Sequence, residues 1–366
     1  MYSLRLRNVV LNIVLLAVSS SVCFLIGEFG LRTLGYHGGV NFRIEDTIML
    51  DDPILNWRHR PNSEFYFGDI AYRFNEKGFR DKSYPSEKPE KTIRVFLASD
   101  SVGFGTNVRL EEAYPKILES KANVVSASIR TEVISYSMPG LSLRQKFYLV
   151  EQHARSYHPD FIVIDYTIND VEFESMKNST EVGRNACAIQ LIHLPFPCVW
   201  KDQLKKSAFL FVFQQGIENA LHRMNWEDRN HFYDQVEGDY YHQLYAMSTK
   251  REYLRTWFRK IGEYQKETGI PILIPIFPLI YDYTQYKWED LNQLIIQLCE
   301  SNGLAYVSLL DAYRVYPWNE LRVQRGDFTH PSVKGNGIAA QAILESLQAH
   351  KMLGPRSFPL SVQEPH

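Results

Sequence analysis

The sequence is poor in cysteine and has no surplus of charge of either sign. Four cysteines in 366 residues cannot form a disulfide scaffold, so the chain must be held by a packed core. Lys and Arg total 40 against 42 Asp and Glu, a net charge of −2. There is thus no global basic field to draw in nucleic acid, and no nucleic-acid partner is expected. The sequence contains no zinc-type cysteine pair, no GxxxxGK[ST] phosphate loop and no internal repeat. What is present is a folding composition, 45% hydrophobic and 13% aromatic, which excludes disorder as the dominant state. The length allows one large domain or two ordinary ones.

The most biased segment is the first. Arg5 and Arg7 precede an apolar stretch from Val9 to Ile26, interrupted by Asn12 and by Ser19 to Ser21. Eighteen helical residues at ~1.5 Å each reach roughly 27 Å, just enough for a hydrocarbon core. The leading expectation is an uncleaved single-pass membrane anchor over residues 1–27. The flanking arginines would keep the amino terminus in the cytoplasm and put the body outside, periplasmic or extracellular. Two alternatives stand beside it: a cleaved signal peptide using Ser19-x-Ser21 as its small-residue site, and a buried core helix. Residues 28–90 read as a connecting region with short strands, punctuated by Pro53, Pro61, Gly68, Gly78, Pro85 and Pro89.

From residue 91 the pattern becomes regular. Apolar runs at 93–98, 133–137, 161–167, 272–276 and 304–308 read as strands. Segments 111–120, 143–157, 251–268, 288–301 and 333–350 read as helices. Strands alternating with helices specify an α/β domain, a parallel sheet covered on both faces, here over residues 91–350 with a tail at 351–366. In such sheets the ligand crevice lies beyond the carboxyl ends of the strands, so the residues following each strand carry the functional argument.

After the first strand comes Ser99-Asp100-Ser101-Val102-Gly103-Phe104-Gly105, a serine at a strand-to-loop turn. After the second comes Pro139-Gly140, where the absence of a Cβ lets a backbone N–H approach a ligand. After the third comes Asn169-Asp170, which offers an amide donor, and before the last helix stands Asp327-x-x-His330-Pro331. On a turn that spacing can set the carboxylate beside the imidazole, making His330 a general base with Asp327 fixing its tautomer. Each block alone reads more simply as a turn or a helix cap. Together they place a nucleophile, two donors and an acid–base pair at one edge of a sheet.

In this combination the sequence resembles the SGNH/GDSL hydrolase superfamily over about residues 91–350. Ser99-Asp100-Ser101 matches the first block, Gly140 the second, Asn169-Asp170 the third and Asp327-x-x-His330 the last. The phrases Asn75-Glu-Lys-Gly78-Phe-Arg80-Asp81 and Gly27-Glu-Phe-Gly-Leu-Arg-Thr-Leu-Gly35 look like the membrane-anchored bacterial branch. The resemblance implies a flavodoxin-like three-layer α/β/α fold with a five-stranded parallel sheet in the order 2-1-3-4-5. It also implies a Ser101–His330–Asp327 triad and an oxyanion hole from the Ser101 and Gly140 N–H groups and the Asn169 side chain. No metal and no cofactor are expected. Asp100 and Asp170 are expected to support the loops. Two positions depart from the family pattern: Ser99 and Thr167 stand where glycine is usual, and both add volume near the crevice.

The implied activity is hydrolysis of carboxylic esters. The expected substrate is an ester-bearing small molecule or an acylated glycan, O-acetyl groups in particular, by family analogy. An O-acyltransferase with the same triad and a catalytically weak carbohydrate-binding or assembly module are the alternatives. Residues 172–249 interrupt the alternation and are too long for a simple connection, so they read as a lid or a helical subdomain. Within them Cys187 and Cys198 could pair in an oxidising compartment. Cys299, in an apolar helical stretch, reads as a buried thiol.

Overall fold

The computed structural model describes residues 2–38, 49–125, 129–171, 204, 206–224 and 238–350. Cys187, Cys198 and most of the 172–249 interruption lie outside these residues. The chain opens with α1 (Tyr2–Thr33), whose apolar side chains from Val9 to Ile26 are largely exposed. From Arg7 to Thr33 it is long and apolar enough to cross a membrane, and none of its most apolar window is buried in the protein. Two hairpins follow: β1 (Met49–Asp52) with β2 (Asn56–His59), and β3 (Glu64–Phe67) with β4 (Ile70–Arg73).

The centre of the molecule is β5 (Thr92–Ser99), in which every residue is buried. A run that is apolar on both sides belongs inside a parallel sheet. Its one cation, Arg94, is accommodated by pairing with Glu132 on the neighbouring strand at 2.9 Å and by donating to the carbonyls of Ser86, Glu87 and Tyr157. Next come the short helix α2 (Ser101–Phe104), α3 (Tyr114–Val125), β6 (Arg130–Ser137) and α4 (Leu143–His153). Then follow β7 (Phe161–Ile164), β8 (Tyr166–Thr167), α5 (Ala208–Arg223) and α6 (Tyr240–Ala246). After them stand α7 (Ser248–Thr268), β9 (Ile272–Phe277), α8 (Glu289–Ser301) and β10 (Ala305–Ser308). The described chain closes with α9 (Leu310–Arg314), α10 (Trp318–Leu321) and α11 (Val333–Ala349).

The sheet runs β10-β9-β7-β5-β6, all parallel, with β8 pairing β9 beyond the end of β7. Counted in chain order from β5 this is 2-1-3-4-5, the order implied by the resemblance. The chain moves outward from β5 to β6 and then crosses back to β7. The carboxyl ends of β5 and β7 therefore flank the point where the winding reverses, the usual place for a crevice.

Several element boundaries shift from the sequence expectation by a few residues, and two of these shifts have a physical reason. The helix expected at 111–120 begins at Tyr114, because residues 110–112 form a separate 3₁₀ turn and Pro115 sits in the first helical turn, where its missing N–H costs nothing. The strand expected at 161–167 is broken at Asp165, whose buried side chain serves another purpose described below.

The carboxyl-terminal end of α1 is tied to the start of α5. The Glu28 carboxylate accepts from the Ser207 hydroxyl at 2.8 Å and the Phe209 N–H at 2.9 Å, while Arg32 donates to the Lys206 carbonyl at 2.8 Å. An anion at a helix amino terminus meets otherwise unpaired N–H groups and the positive end of the helix dipole.

Candidate active site

Asp100 follows β5 and caps α2, its Oδ1 accepting the Val102 N–H at 2.9 Å. Ser101 is thereby the first residue of that helix, 8% exposed. Its own N–H lies in the first turn, where no intrahelical carbonyl can reach it. The turn after α2 is gripped from outside. Arg80, itself buried, donates to the carbonyls of Phe104 at 2.8 Å, Gly105 at 2.7 Å and Val108 at 2.9 Å, with its guanidinium 4.0 Å from the centre of the Tyr72 ring. Burial lowers the Arg80 guanidinium to about 10, which leaves it charged at neutral pH.

His330 and Asp327 lie together. Nδ1 of His330 is 2.8 Å from Asp327 Oδ2, and Asp327 Oδ1 accepts the backbone N–H groups of His330 at 2.9 Å and Thr329 at 3.1 Å. With Nδ1–H given to the carboxylate, Nε2 is the nitrogen able to accept a proton. Burial opposes a charged imidazole, but the Asp327 charge and hydrogen bond, with a further contribution from Asp100, raise His330 above its ordinary value. Burial also works against the Asp327 carboxylate; His330 and the two N–H donors outweigh it and hold Asp327 below the usual range. Asp100, one residue before Ser101, is thus within electrostatic reach of the imidazole.

Gly140 follows β6, joined to the end of β5 by the Met138 N–H donating to the Ser99 carbonyl at 3.2 Å. A Cβ on Gly140 would meet nothing within 4 Å, so space does not demand glycine there; its φ of +79° does. Asn169 follows β8 and is half-buried.

Beneath these residues is a buried polar cluster that the sequence reading did not find. Lys146 of α4, with no exposed surface, puts Nζ 2.9 Å from Asp165 Oδ1, 2.9 Å from both Asp170 oxygens and 3.5 Å from Asp100 Oδ2. Asp165 also accepts from the hydroxyls of Ser99 and of Tyr114, the latter at 2.6 Å. The Thr167 hydroxyl lies 2.8 Å from Asp100 Oδ2, 2.8 Å from Asp170 Oδ1 and 2.6 Å from Asn169 Oδ1. Burial raises Asp165 and pushes Asp170 well above the usual carboxylate range, against the attraction of Lys146. The one signal that could have found Lys146 is helical spacing: it shares a face with the buried Leu143, Phe147 and Val150.

Ser99 and Thr167 therefore have hydroxyl partners where the sequence suggested only added bulk. Ser99 Oγ also accepts the Gly103 N–H at 2.8 Å, and a Cβ on Gly103 would lie 2.3 Å from that oxygen. Among the described residues no cluster of His, Cys, Asp and Glu suits a metal ion. A cavity of about 370 Å³ lies among β3–β4, α5, the turn at Asn107 and residues 323–325, lined in part by Phe67, Phe211, Gln215, Asn219 and Arg325. Neither Ser101 nor His330 lines it, although the Val323 N–H donates to the His330 carbonyl at 2.9 Å.

No family model and no curated protein matches the chain. Several solved structures are similar to it. The acetyl xylan esterase AlAXEase is 15% identical, covering 70% of this chain and all of that one at a TM-score of 0.42. A lipase/acylhydrolase from Enterococcus faecalis is 12% identical over 70% of this chain and 96% of that one, with a TM-score of 0.37. TesA is 10% identical over 70% of this chain and 98% of that one, at 0.41.

Proposed function

We propose that this protein is a membrane-anchored serine esterase acting on carboxylic esters outside the cytoplasm. The observation that carries the reading is the Asp327–His330 pair, a carboxylate fixed by two backbone N–H groups and hydrogen-bonded to an imidazole whose other nitrogen is left as a base. Ser101 supplies the nucleophile from a capped helix start at the carboxyl end of the central strand.

In this mechanism Ser101 Oγ attacks the ester carbonyl and His330 Nε2 takes its proton. Negative charge forms on the carbonyl oxygen, met by the Ser101 and Gly140 N–H groups and the Asn169 amide. The tetrahedral centre collapses, the C–O bond to the alcohol breaks, and His330 returns the proton to the leaving oxygen. Water, deprotonated by His330, then attacks the acyl-serine and frees the acid. The substrate we favour is an O-acylated glycan. The neighbouring cavity sets apolar surface at Phe67 and Phe211 beside the amides of Gln215 and Asn219 and the guanidinium of Arg325, a mixed lining that suits an acylated sugar. Arg5 and Arg7 ahead of the apolar helix support an amino terminus in the cytoplasm.

The test uses the full chain in detergent with p-nitrophenyl acetate and longer esters. Wild-type hydrolysis is expected, with fluorophosphonate labelling at Ser101, and both should vanish in Ser101→Ala and in His330→Ala. A folded wild type with neither hydrolysis nor labelling refutes the esterase. Acyl transfer to an added glycan without hydrolysis moves the same site to a transferase.

A further inference from the structure

The Thr167 hydroxyl has one proton and two lone pairs but three oxygen neighbours within 2.8 Å: Asn169 Oδ1, Asp100 Oδ2 and Asp170 Oδ1. The amide oxygen of Asn169 carries no proton, so in this arrangement its 2.6 Å contact is a hydrogen bond only if Thr167 donates it. Of the three contacts the one to Asn169 is the shortest, and Asp170, which burial pushes well above the usual carboxylate range, can meet a lone pair of Thr167 with a proton of its own. The site is built to keep one. Three carboxyl groups, of Asp100, Asp165 and Asp170, surround the single ammonium of Lys146, and all four side chains are 2% exposed or less. Fully ionised, this would bury two uncompensated negative charges, which the interior disfavours strongly. The desolvation that pushes Asp170 well up acts in the same direction.

We propose that Thr167 is the positioning residue for the oxyanion amide: its hydroxyl, held from behind by Asp100 and Asp170, donates to Asn169 Oδ1 and thereby presents the Asn169 Nδ2–H to the crevice. This rests on the reading of Asn169 as an oxyanion donor. The reasoning is local. With the amide reversed, Nδ2 would donate to Thr167 and Oδ1 would be offered to the developing oxyanion, an acceptor facing a negative charge. Thr167 thus decides which end of Asn169 the substrate meets. A glycine at this position has no hydroxyl with which to make that choice. Ser99, at the end of β5, is the matching change on the other side of Lys146. Its hydroxyl engages Asp165, the other carboxylate on Lys146, so that Asp170 and Asp100 are left to Thr167.

The test is a double-mutant cycle on ester hydrolysis by the full chain, together with crystal structures of the wild type and Thr167→Val. Thr167→Val keeps the shape and removes the donor; its kcat should fall about 10- to 100-fold with KM nearly unchanged, somewhat less than the loss of a whole oxyanion donor. Thr167→Ser should restore most of the rate. In an Asn169→Ala background Thr167→Val should cost nothing further, because there is no amide left to orient. A wild-type kcat in Thr167→Val, a loss carried by KM, or an undiminished loss in the Asn169→Ala background would each overturn the proposal. If Thr167→Val does not fold, Thr167→Ala, which leaves the carboxyl groups room, takes its place in the cycle. Should the wild type prove inactive and unlabelled at Ser101, the esterase reading fails by itself, and the crystals still judge Thr167. An Asn169 side chain that keeps its rotamer and contacts in Thr167→Val overturns the positioning role, and one that turns away from its wild-type place supports it.

Discussion

Removing the Lys146 cation tests whether the buried cluster holds together the edge of the sheet that carries Asp100, Thr167 and Asp170. Lys146→Met keeps most of the side-chain volume and deletes the only positive charge within 3.5 Å of Asp100, Asp165 and Asp170 given by the contacts above. Breaking a buried ion pair by removing one partner costs about 3–5 kcal/mol, because the other charge stays buried. For a folded body of this size each kcal/mol moves the melting temperature by about 2–4 °C, so a fall of roughly 6–20 °C is expected near pH 8. The pH dependence has a definite sign. Asp165 and Asp170 already lie above the usual carboxylate range with Lys146 present, and without it they must rise further. The folded variant then holds protons that the unfolded chain releases above pH 4, so its stability rises as pH falls from 8. Circular-dichroism melts of wild type and variant at pH 8 and pH 5.5 measure both effects. A variant melting within about 2 °C of wild type at pH 8, or a deficit that does not shrink at pH 5.5, refutes the reasoning.

Three further outcomes follow from the same geometry. Because Asp327 and Asp100 raise His330, the acidic limb of kcat/KM for ester hydrolysis should lie above pH 6.5, and Asp327→Asn should shift it downward while cutting kcat by about 10³–10⁴; a limb at or below 6.5 in the wild type contradicts this. His59 is buried against Phe74 with ring centres 3.9 Å apart, and burial, aided by the Arg80 charge, lowers it to about 3. Its contribution to stability is full above pH 6.5 and is lost as pH falls from there toward 3, so His59→Phe should flatten the acid side of a stability–pH curve measured by denaturant titration. Arg80→Met strands three carbonyls in the turn after Ser101 and should lower stability by about 2–4 kcal/mol while slowing fluorophosphonate labelling; Arg80→Lys, lacking the planar fork, should recover only part of either.

Much of the fold was legible because its signal is local. The apolar runs of β5, β6 and β9 are both the strands and the evidence for them, and the alternation with helices specifies a parallel sheet without reference to any partner. The Asp327–His330 pair was legible for the same reason, its geometry set by a three-residue turn. The polar cluster was not, because its members lie far apart in the chain. Lys146 meets Asp165 across 19 residues and Asp170 across 24, and Ser99 meets Asp165 across 66. Only burial makes those residues partners, and burial is a property of the assembled sheet. Arg80 shows the same limit. Its motif stood out in the sequence, but its role depends on carbonyls 24 to 28 residues further on.

Ser99 and Thr167, the two positions that depart from the pattern the sequence resembles, act together. A serine at position 99 fills space beside α2, and that space exists because residue 103 is glycine: its Cβ would meet Ser99 Oγ at 2.3 Å. The serine oxygen then accepts the Gly103 N–H and its proton goes to Asp165. Asp165 holds Lys146, Lys146 holds Asp170 and approaches Asp100, and Thr167 bonds with both acids and with Asn169. A continuous set of polar contacts therefore runs from the helix that carries Ser101 to the amide assigned to the oxyanion. Such a network is favourable only when every member is satisfied, since a half-paired polar group in a low-dielectric interior is worse than an apolar one. Returning either position to glycine alone should then cost more than its lost packing, because it leaves a carboxyl group short of a partner: Ser99→Gly deprives Asp165 and the Gly103 N–H, and Thr167→Gly deprives Asp100, Asp170 and Asn169. The hydroxyls that look like obstructions in the sequence are in this chain the parts that join the turn carrying Ser101 to the Asn169 amide, the two groups that the proposed mechanism places on either side of the tetrahedral intermediate.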